Sequence, residues 1–398
     1  MRDKKILSYY GFSIFFPLFV WLPVFYQFQK LIGFSDFQIF SLQSFYYWFF
    51  LFIEIPTGWI ADRFGYRNTL IAAAVFLIIS HALVIAHPSY LFFALHYLFV
   101  ALARSFASGT ASAYLYGLLK INGRVNEYKK VEGAARSYGL AVKVFAWFFA
   151  GALMSWHLTL PYWLSLFSGA LALLFVLSFV PQRKIRIKNS NKPMAFKQAV
   201  ISLYHSPFYF LLMLQGVGVF VLARICQVNL FQPFLLERGF SVGSLGVMLS
   251  VMTIFEAIGS KQSFLLSKRF KDENAVFYLT ALMAVCLFFL GKTELVQTSI
   301  VWITIGFALF SLAAGLAFPI QLKLLNDFIP HEDYRATYLS IESILGRAGC
   351  AFIIGLMGEV VSQGKTGVFF QSSALCVILG VLLVNQLIRF KIKKKQPL

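Results

Sequence analysis

Charge is what this sequence has least of. Asp, Glu, Lys and Arg make up 13% of its 398 residues, and only 16 of these are acids. A soluble domain carries roughly 25% charged residues, so water cannot be the solvent for most of this chain. Cysteine is scarce too. Cys226, Cys286, Cys350 and Cys376 lie inside apolar runs without CxxC spacing, which excludes a thiolate zinc site and a disulfide framework. They read as small buried apolar residues. Also missing are a phosphate-cradling Walker loop and any hydrolase or zinc-protease signature, so ATP hydrolysis and metal-assisted hydrolysis are not encoded. The expectation is no enzyme, no metal and no cofactor.

What the chain has instead is hydrocarbon. It is 59% hydrophobic with a mean hydropathy of +0.74. Its apolar runs are continuous and close to the ~20 residues of a spanning helix. They do not alternate as barrel strands of about 10 residues do. The fold class predicted is therefore an all-α, multi-pass membrane protein. Twelve spans are expected at 7–28, 37–61, 68–87, 89–119, 132–155, 160–180, 206–236, 242–267, 274–291, 298–325, 336–361 and 366–388. They group as a six-helix lobe over 1–180, a basic linker over 181–205, a second six-helix lobe over 206–388 and a basic tail over 389–398. The opening MRDKK followed by an apolar run looks like a signal peptide. That run continues from Ile6 to Phe28 without a small-residue cleavage site, so a retained first helix is expected.

A net charge of +19 would suggest nucleic acid in a soluble protein. The positions of the charges exclude that reading. The even-numbered connections and both ends hold 25 Lys and Arg, whereas the odd-numbered connections hold four: Lys30, Arg238, Lys292 and Lys365. Basic connections stay on the cytoplasmic side, so both termini and the linker are expected there, and no nucleic-acid partner is needed.

One charged turn interrupts the second and third apolar runs: Gly58-Trp-Ile-Ala-Asp62-Arg63-Phe-Gly65-Tyr-Arg67. Gly58 permits close helix approach, and Gly65 suits a turn with positive φ. Asp62 at a helix end can accept hydrogen bonds from Arg63, Arg67 or a neighbouring helix N-terminus. A solvated turn with local ion pairs is the plainer alternative.

This turn resembles the helix 2–3 loop of the major facilitator superfamily, matching at Gly58, Ala61, Asp62, Arg63, Gly65 and Arg67 and departing at Tyr66 and Thr69. Twelve spans split six and six match that superfamily's two-lobed layout. Glu54-Ile-Pro-Thr-Gly58 looks like a bacterial subgroup that includes drug and metabolite exporters. Arg104-Ser-Phe-Ala-Ser-Gly109 resembles the family's helix 4 motif with one extra residue between Arg and Gly. The second-lobe loop, Ser267-Lys-Arg-Phe-Lys-Asp-Glu, lacks the glycines. The resemblance implies that Gly58, Asp62, Arg63, Gly65 and Arg67 form a conformational latch between lobes, and that the second, fourth, fifth, seventh, eighth and eleventh spans line or border a central cavity.

Ionisable residues inside spans cost about 2.5–3.5 kcal/mol each on insertion scales, so each needs a reason. Arg104, Lys143, Arg224, Glu256 and Arg347 fall midway along their runs; Glu54, Arg136, Lys261 and Glu342 fall nearer the cytoplasmic ends. Aligning Gly151 with Gly355 places Lys143 opposite Arg347, a weak internal repeat. Arg136 and Glu342 also fit snorkelling or latching of the lobes, Lys261 fits snorkelling to the cytoplasmic interface, and Arg224 with Glu256 fits a structural ion pair. Four midspan cations against one acid favour a solute bearing carboxylate or phosphate. Gln227, Gln43, Gln215 and Asn229 are candidate cavity hydrogen-bonders, whereas His81 and His96 read as packing. Proton coupling needs a carboxylate whose pKa burial can raise, with Glu256 first and Glu54 second. The expectation is a monomeric, proton-coupled transporter of a small solute in a bacterial inner membrane. It is expected to work by alternating access, and export of a drug or metabolite is favoured. Import of an anionic solute such as a carboxylate siderophore is the alternative, and a non-transporting receptor or lipid scramblase is the alternative of another class.

Overall fold

The computed structural model describes the backbone of residues 2–180, 196–293, 300–330 and 335–395. Within these, side chains are described except at 2–3, 55–62, 196–200, 335–337, 381, 385 and 388–395. Among the described residues the fold is all-α, with no strand. Nine stretches there are long and apolar enough to cross a membrane. A tenth is added if Val125–Phe148 and Ala150–Trp156, bent by 42° at their junction, make one span.

The chain divides into two compact units, residues 1–188 with 241–250, and residues 189–240 with 251–398. Unit 1 contains α1 (Arg2–Phe15), α2 (Phe25–Leu31), α3 (Asp36–Phe64), α4 (Tyr66–Ala86), α5 (Tyr90–Ala107), α6 (Thr110–Ile121), α7 (Tyr128–Phe148), α8 (Ala150–Trp156) and α9 (Leu160–Leu177). α4 packs on α5 and α9, α3 on α5, and α1 on α7 and α9. The predicted first span is not one helix. α1 stops at Phe15, just before Pro17, and a 3-10 turn at Leu22–Val24 carries Pro23 before α2 begins. Each proline lacks an N–H and cannot continue the ladder. The predicted fourth span also breaks, at Ser108-Gly109, where Gly109 has φ +71°. That conformation strains any residue with a Cβ.

His81 and His96 sit in the core of this unit, fully buried. The Trp21 indole N–H donates to His81 Nε2 at 2.9 Å, and His96 Nδ1 lies 2.9 Å from the Ser80 carbonyl. The Trp21 and Tyr162 rings stack at 5.7 Å beside them. Packing is the role the sequence suggested for both histidines.

Unit 2 contains α10 (Phe196–His205), α11 (Pro207–Arg224), α12 (Phe231–Glu237), most of α13 (Val242–Arg269), α14 (Asp272–Gly291), α15 (Ile300–Asp327), α16 (Arg335–Ser362) and α17 (Thr366–Lys395). α14 packs on α15 and α17, and α11 on α15 and α16. The expected linker differs from the structure in its last third. Residues 196–205 form α10, because Leu203 buries itself with Tyr209, Leu212, Met213, Leu325, Tyr338 and Ile341. Ser202 Oγ lies 2.7 Å from the Tyr338 hydroxyl and fixes the helix there. Residues 181–195 lie outside the described residues.

Arg238 also differs from expectation. As one of four basic residues in the odd connections it reads as a loop charge, yet only 7% of it is exposed. Its Nε donates to the Thr293 carbonyl at 3.0 Å and its Nη1 to the Phe234 carbonyl at 3.1 Å, while the guanidinium sits 3.5 Å from the Phe234 ring centroid. Neighbouring Glu237 accepts a hydrogen bond from Thr366 Oγ1. The pair thus staples the end of α12 to the ends of α14 and α17. Hydrogen bonds to a charged group are worth about 1.5–3 kcal/mol. Arg238→Met is therefore expected to destabilise the detergent-purified protein by ~2 kcal/mol, read as a lower thermal unfolding temperature. Lys365→Met, at an exposed position, is the control that stays at the parent temperature. Equal behaviour of the two variants would remove the staple.

Candidate functional site

Each unit carries its own set of half-buried charges. In unit 1, α5 presents Arg104, whose Nη1 donates to the Tyr46 hydroxyl of α3 at 2.9 Å. Its guanidinium also faces the Phe19 ring at 6.0 Å. The tyrosine sits among Tyr47, Phe50 and Tyr97, so an apolar aromatic wall orients the cation. Gln43, a candidate cavity hydrogen-bonder, is buried and donates to the Tyr97 hydroxyl, as does Gln29 at 2.9 Å.

α7 carries the second group. Glu132, Arg136, Gly139, Leu140 and Lys143 all line one cavity of about 420 Å³, together with Tyr9, Phe12 and Ser13 of α1, Phe16 just beyond it, and Ala111 and Ser112 of α6. Glu132, Arg136, Gly139 and Lys143 are spaced by four, three and four residues, which is the spacing of one helical face. Glu132 is the residue sequence reading missed. Its carboxylate accepts the Tyr9 hydroxyl at 2.6 Å, the Ser112 hydroxyl at 3.4 Å and the Arg136 Nε at 3.3 Å. Arg136 is largely exposed, and Glu132 is 16% exposed at its side chain. Lys143 lies eleven residues further along the same face, about 16 Å away at 1.5 Å per residue. The cavity therefore has an acid at one end and a cation at the other, with apolar walls between. Glu54 on α3 is half-buried in this unit and does not line the cavity.

In unit 2, α11 and α16 meet closely. A Cβ on Gly346 would lie 2.9 Å from Phe220, and one on Gly349 would lie 3.1 Å from Val221. One turn beyond Phe220 is Arg224, 5.7 Å from the Phe220 ring centroid. One residue beyond Gly346 is Arg347, whose Nη1 donates to Ser343 Oγ at 2.6 Å. Arg224 and Arg347 both act electrostatically on buried Cys350, so the two cations share one neighbourhood. The main chain is unusual here too. Ile225–Leu230 forms a π-helix between α11 and α12, a bulge that recurs at functional sites. It directs Gln227 to Ser311 Oγ of α15 at 3.0 Å and fully buries Asn229, whose amide atoms make no hydrogen bond. Gln215 of α11 is buried, its side-chain amide oxygen also without a hydrogen bond.

Glu256 lies half-buried on α13. Its peptide carbonyl is against Gly315 of α15, where a Cβ could not fit. Glu342, in the second turn of α16, sets a carboxylate oxygen against Gly216 of α11, beside the Gln321 amide. That amide donates to the Leu212 carbonyl at 2.7 Å. Lys261 is exposed, as snorkelling requires.

The glycine-bracketed turn is shorter than its sequence suggests. α3 stays helical through Phe64, and only Gly65, with φ +86°, separates it from α4. Arg67 Nη2 donates to the Leu177 carbonyl at 2.9 Å, at the last residue of α9. A cation there also complements the negative end of the helix. Arg63 is exposed. The side chains at Gly58 and Asp62 lie outside the described residues.

No curated protein matches the sequence. Among solved structures the chain is similar to a mutant of the nucleoside transporter NupG, at TM-score 0.81 and 14% identity, covering 96% of this chain and 98% of that one. It is similar to a D-xylose–proton symporter at TM-score 0.73 and 14% identity, covering 96% of each. A POT family transporter solved with 5-aminolevulinic acid matches at TM-score 0.66 and 14% identity, covering 96% of this chain and 93% of that one. At this identity the likeness is one of fold. The sequence itself matches the Major Facilitator Superfamily over residues 5–354. With that match spanning most of an all-helical, two-unit membrane chain, the protein belongs to the Major Facilitator Superfamily of transporters and is not an enzyme.

Proposed function

We propose that the chain is a monomeric secondary active transporter of a small anionic or zwitterionic organic solute, coupled to protons, with both termini cytoplasmic and twelve spans working by alternating access in a bacterial inner membrane. The observation that carries the solute class is Arg224 and Arg347 in unit 2, both half-buried and both within electrostatic reach of Cys350. Guanidinium groups bind carboxylate or phosphate through paired planar donors. The Glu132–Lys143 cavity of unit 1 adds an acid, which supports the zwitterionic form.

Export is the direction we favour, on the Glu54-Ile-Pro-Thr-Gly58 stretch. Import is the second reading, supported by the D-xylose–proton symporter among its fold neighbours. In either direction, family membership supports a latch role for Gly58, Asp62, Arg63, Gly65 and Arg67. Glu256 is proposed as the proton-coupling carboxylate and Glu54 as its reserve.

The test is transport by purified protein in liposomes with an imposed pH gradient, using a panel of labelled carboxylates, amino acids and neutral sugars. Uphill movement of a charged member is expected in the parent and only downhill exchange in Glu256→Gln. Uphill transport that survives in Glu256→Gln removes that residue from coupling. A parent that moves no solute while lipids flip between leaflets would assign the fold to scrambling instead.

A further inference from the structure

A second pocket in unit 1 has no part in the solute reading. It is about 440 Å³ in volume and is lined by Lys4, Ile6, Leu7 and Tyr10 of α1, by Arg124 and Glu127 of the turn before α7, and by Lys130 and Val131 of α7. Three cations face it against one acid. That acid is already satisfied, because Arg124 donates to both Glu127 oxygens through Nε and Nη2 at 2.6 Å each. The bidentate pair fixes the turn and leaves the pocket's excess positive charge on Lys4 and Lys130, both exposed. Lys5 and Lys129 adjoin them in the sequence.

The same pocket is amphipathic along one axis. Less than one turn beyond Lys4 comes Leu7, 64% exposed, and then Tyr10. On a helix entering a membrane, that order is a cationic rim above an apolar wall, with an aromatic ring near the boundary. A soluble phosphate compound would use the rim and leave Leu7 facing water. A phospholipid uses both, with its phosphate on the lysines and its acyl chain along Leu7 and Tyr10. We propose that this pocket seats the headgroup of an anionic phospholipid from the leaflet on the Lys- and Arg-rich side of the membrane.

Each Lys near an anionic membrane surface contributes about 1 kcal/mol, so removing two corresponds to a ~30-fold weaker affinity. The probe is fluorescent phosphatidylglycerol titrated into the intact, detergent-purified protein, with fluorescent phosphatidylcholine as its neutral counterpart. Lys4→Gln/Lys130→Gln is expected to weaken phosphatidylglycerol binding by ~30-fold and leave phosphatidylcholine unchanged. Lys4→Arg/Lys130→Arg is expected to keep it, which separates loss of charge from loss of folding. The control Lys365→Gln, on an odd-numbered connection, should bind as the parent does. Undiminished phosphatidylglycerol binding in the glutamine variant overturns the proposal. So does its displacement from the parent by inorganic pyrophosphate at equal concentration, which would make this a soluble-phosphate site.

Discussion

Gly315→Leu is expected to remove most folded protein from the membrane, and Gly315→Ala to lower its yield and unfolding temperature. The reason is backbone against backbone. A Cβ on Gly315 of α15 would meet the Glu256 carbonyl oxygen of α13, with the Glu256 carbonyl carbon at 2.8 Å and Cα at 2.9 Å. The opposing residue is glycine as well: a Cβ on Gly259 would meet the Leu312 carbonyl oxygen, with Leu316 N at 3.0 Å and Gly315 C at 3.2 Å. Membrane helices that pack through small residues gain van der Waals contact from close main-chain approach. No flexible side chain here can rotate away, so the two helices must part. Overpacking typically costs 1–3 kcal/mol and occasionally more; separation of two main chains belongs at about 3 kcal/mol or above. Gly218→Ala is the matched control, since a Cβ there meets nothing within 4 Å. Thermal unfolding in detergent and the yield of dispersed protein measure both. A Gly315→Leu protein that unfolds with the parent would show that α13 and α15 do not cross at this pair.

The architecture was readable because the solvent is hydrocarbon. Every buried main-chain polar group must be satisfied within its own helix or barrel, so long continuous runs such as Thr69–Ala86 or Ile300–Phe318 leave a helix as the only outcome. The interruptions were harder to see. Pro17 and Pro23 carry a local signal, and the first span breaks at them. The break at Phe149 has no such mark, since it falls between α7 and α8 within Trp-Phe-Phe-Ala. The π-helix at Ile225–Leu230 likewise occupies a stretch with no proline or glycine. Its register depends on what α15 and α16 offer to Gln227 and its neighbours, which no local pattern records.

The charged residues were visible one by one through their insertion cost, but their groupings were not. Glu132 lies at the first residue of the predicted fifth span, where an acid costs little and invites no question. α7 actually begins at Tyr128, which puts Glu132 a turn inside the helix. Its partner Tyr9 is 123 residues away, and a separation of that size is set by tertiary packing alone. Arg67 makes the same point. Sequence similarity gives it a role in a latch, and its hydrogen bond to the Leu177 carbonyl of α9, 110 residues away, is one that no local pattern records. Gln227 reads from sequence as a cavity hydrogen-bonder, and its partner in the structure, Ser311 on α15, lies in a predominantly apolar run that does not announce it.

Arg224 and Arg347 were found separately by sequence, and their shared neighbourhood gives the larger functional expectation. Both guanidinium groups act on the same buried thiol, and two such planar donors in one region favour a carboxylate or phosphate. Binding of an anionic solute should therefore depend on both. Truncating one member of a buried, hydrogen-bonded charge pair costs about 2–5 kcal/mol. For half-buried groups the lower end applies, and Arg224→Met and Arg347→Met should each weaken a carboxylate solute by ~30-fold or more. The double variant should fall short of the product of the two, because residues sharing one partner are not additive. Lysine replacements keep the charge but lose the planar fork, so Arg224→Lys and Arg347→Lys should retain part of the affinity. The readout is solute-induced thermal stabilisation across a panel of carboxylates and neutral analogues, with liposome uptake beside it. Neutral analogues should bind the methionine variants as they bind the parent. If carboxylates stabilise the double methionine variant as well as the parent, or if only cationic dyes stabilise the parent, the arginine pair holds α11 against α16 and does not recognise solute.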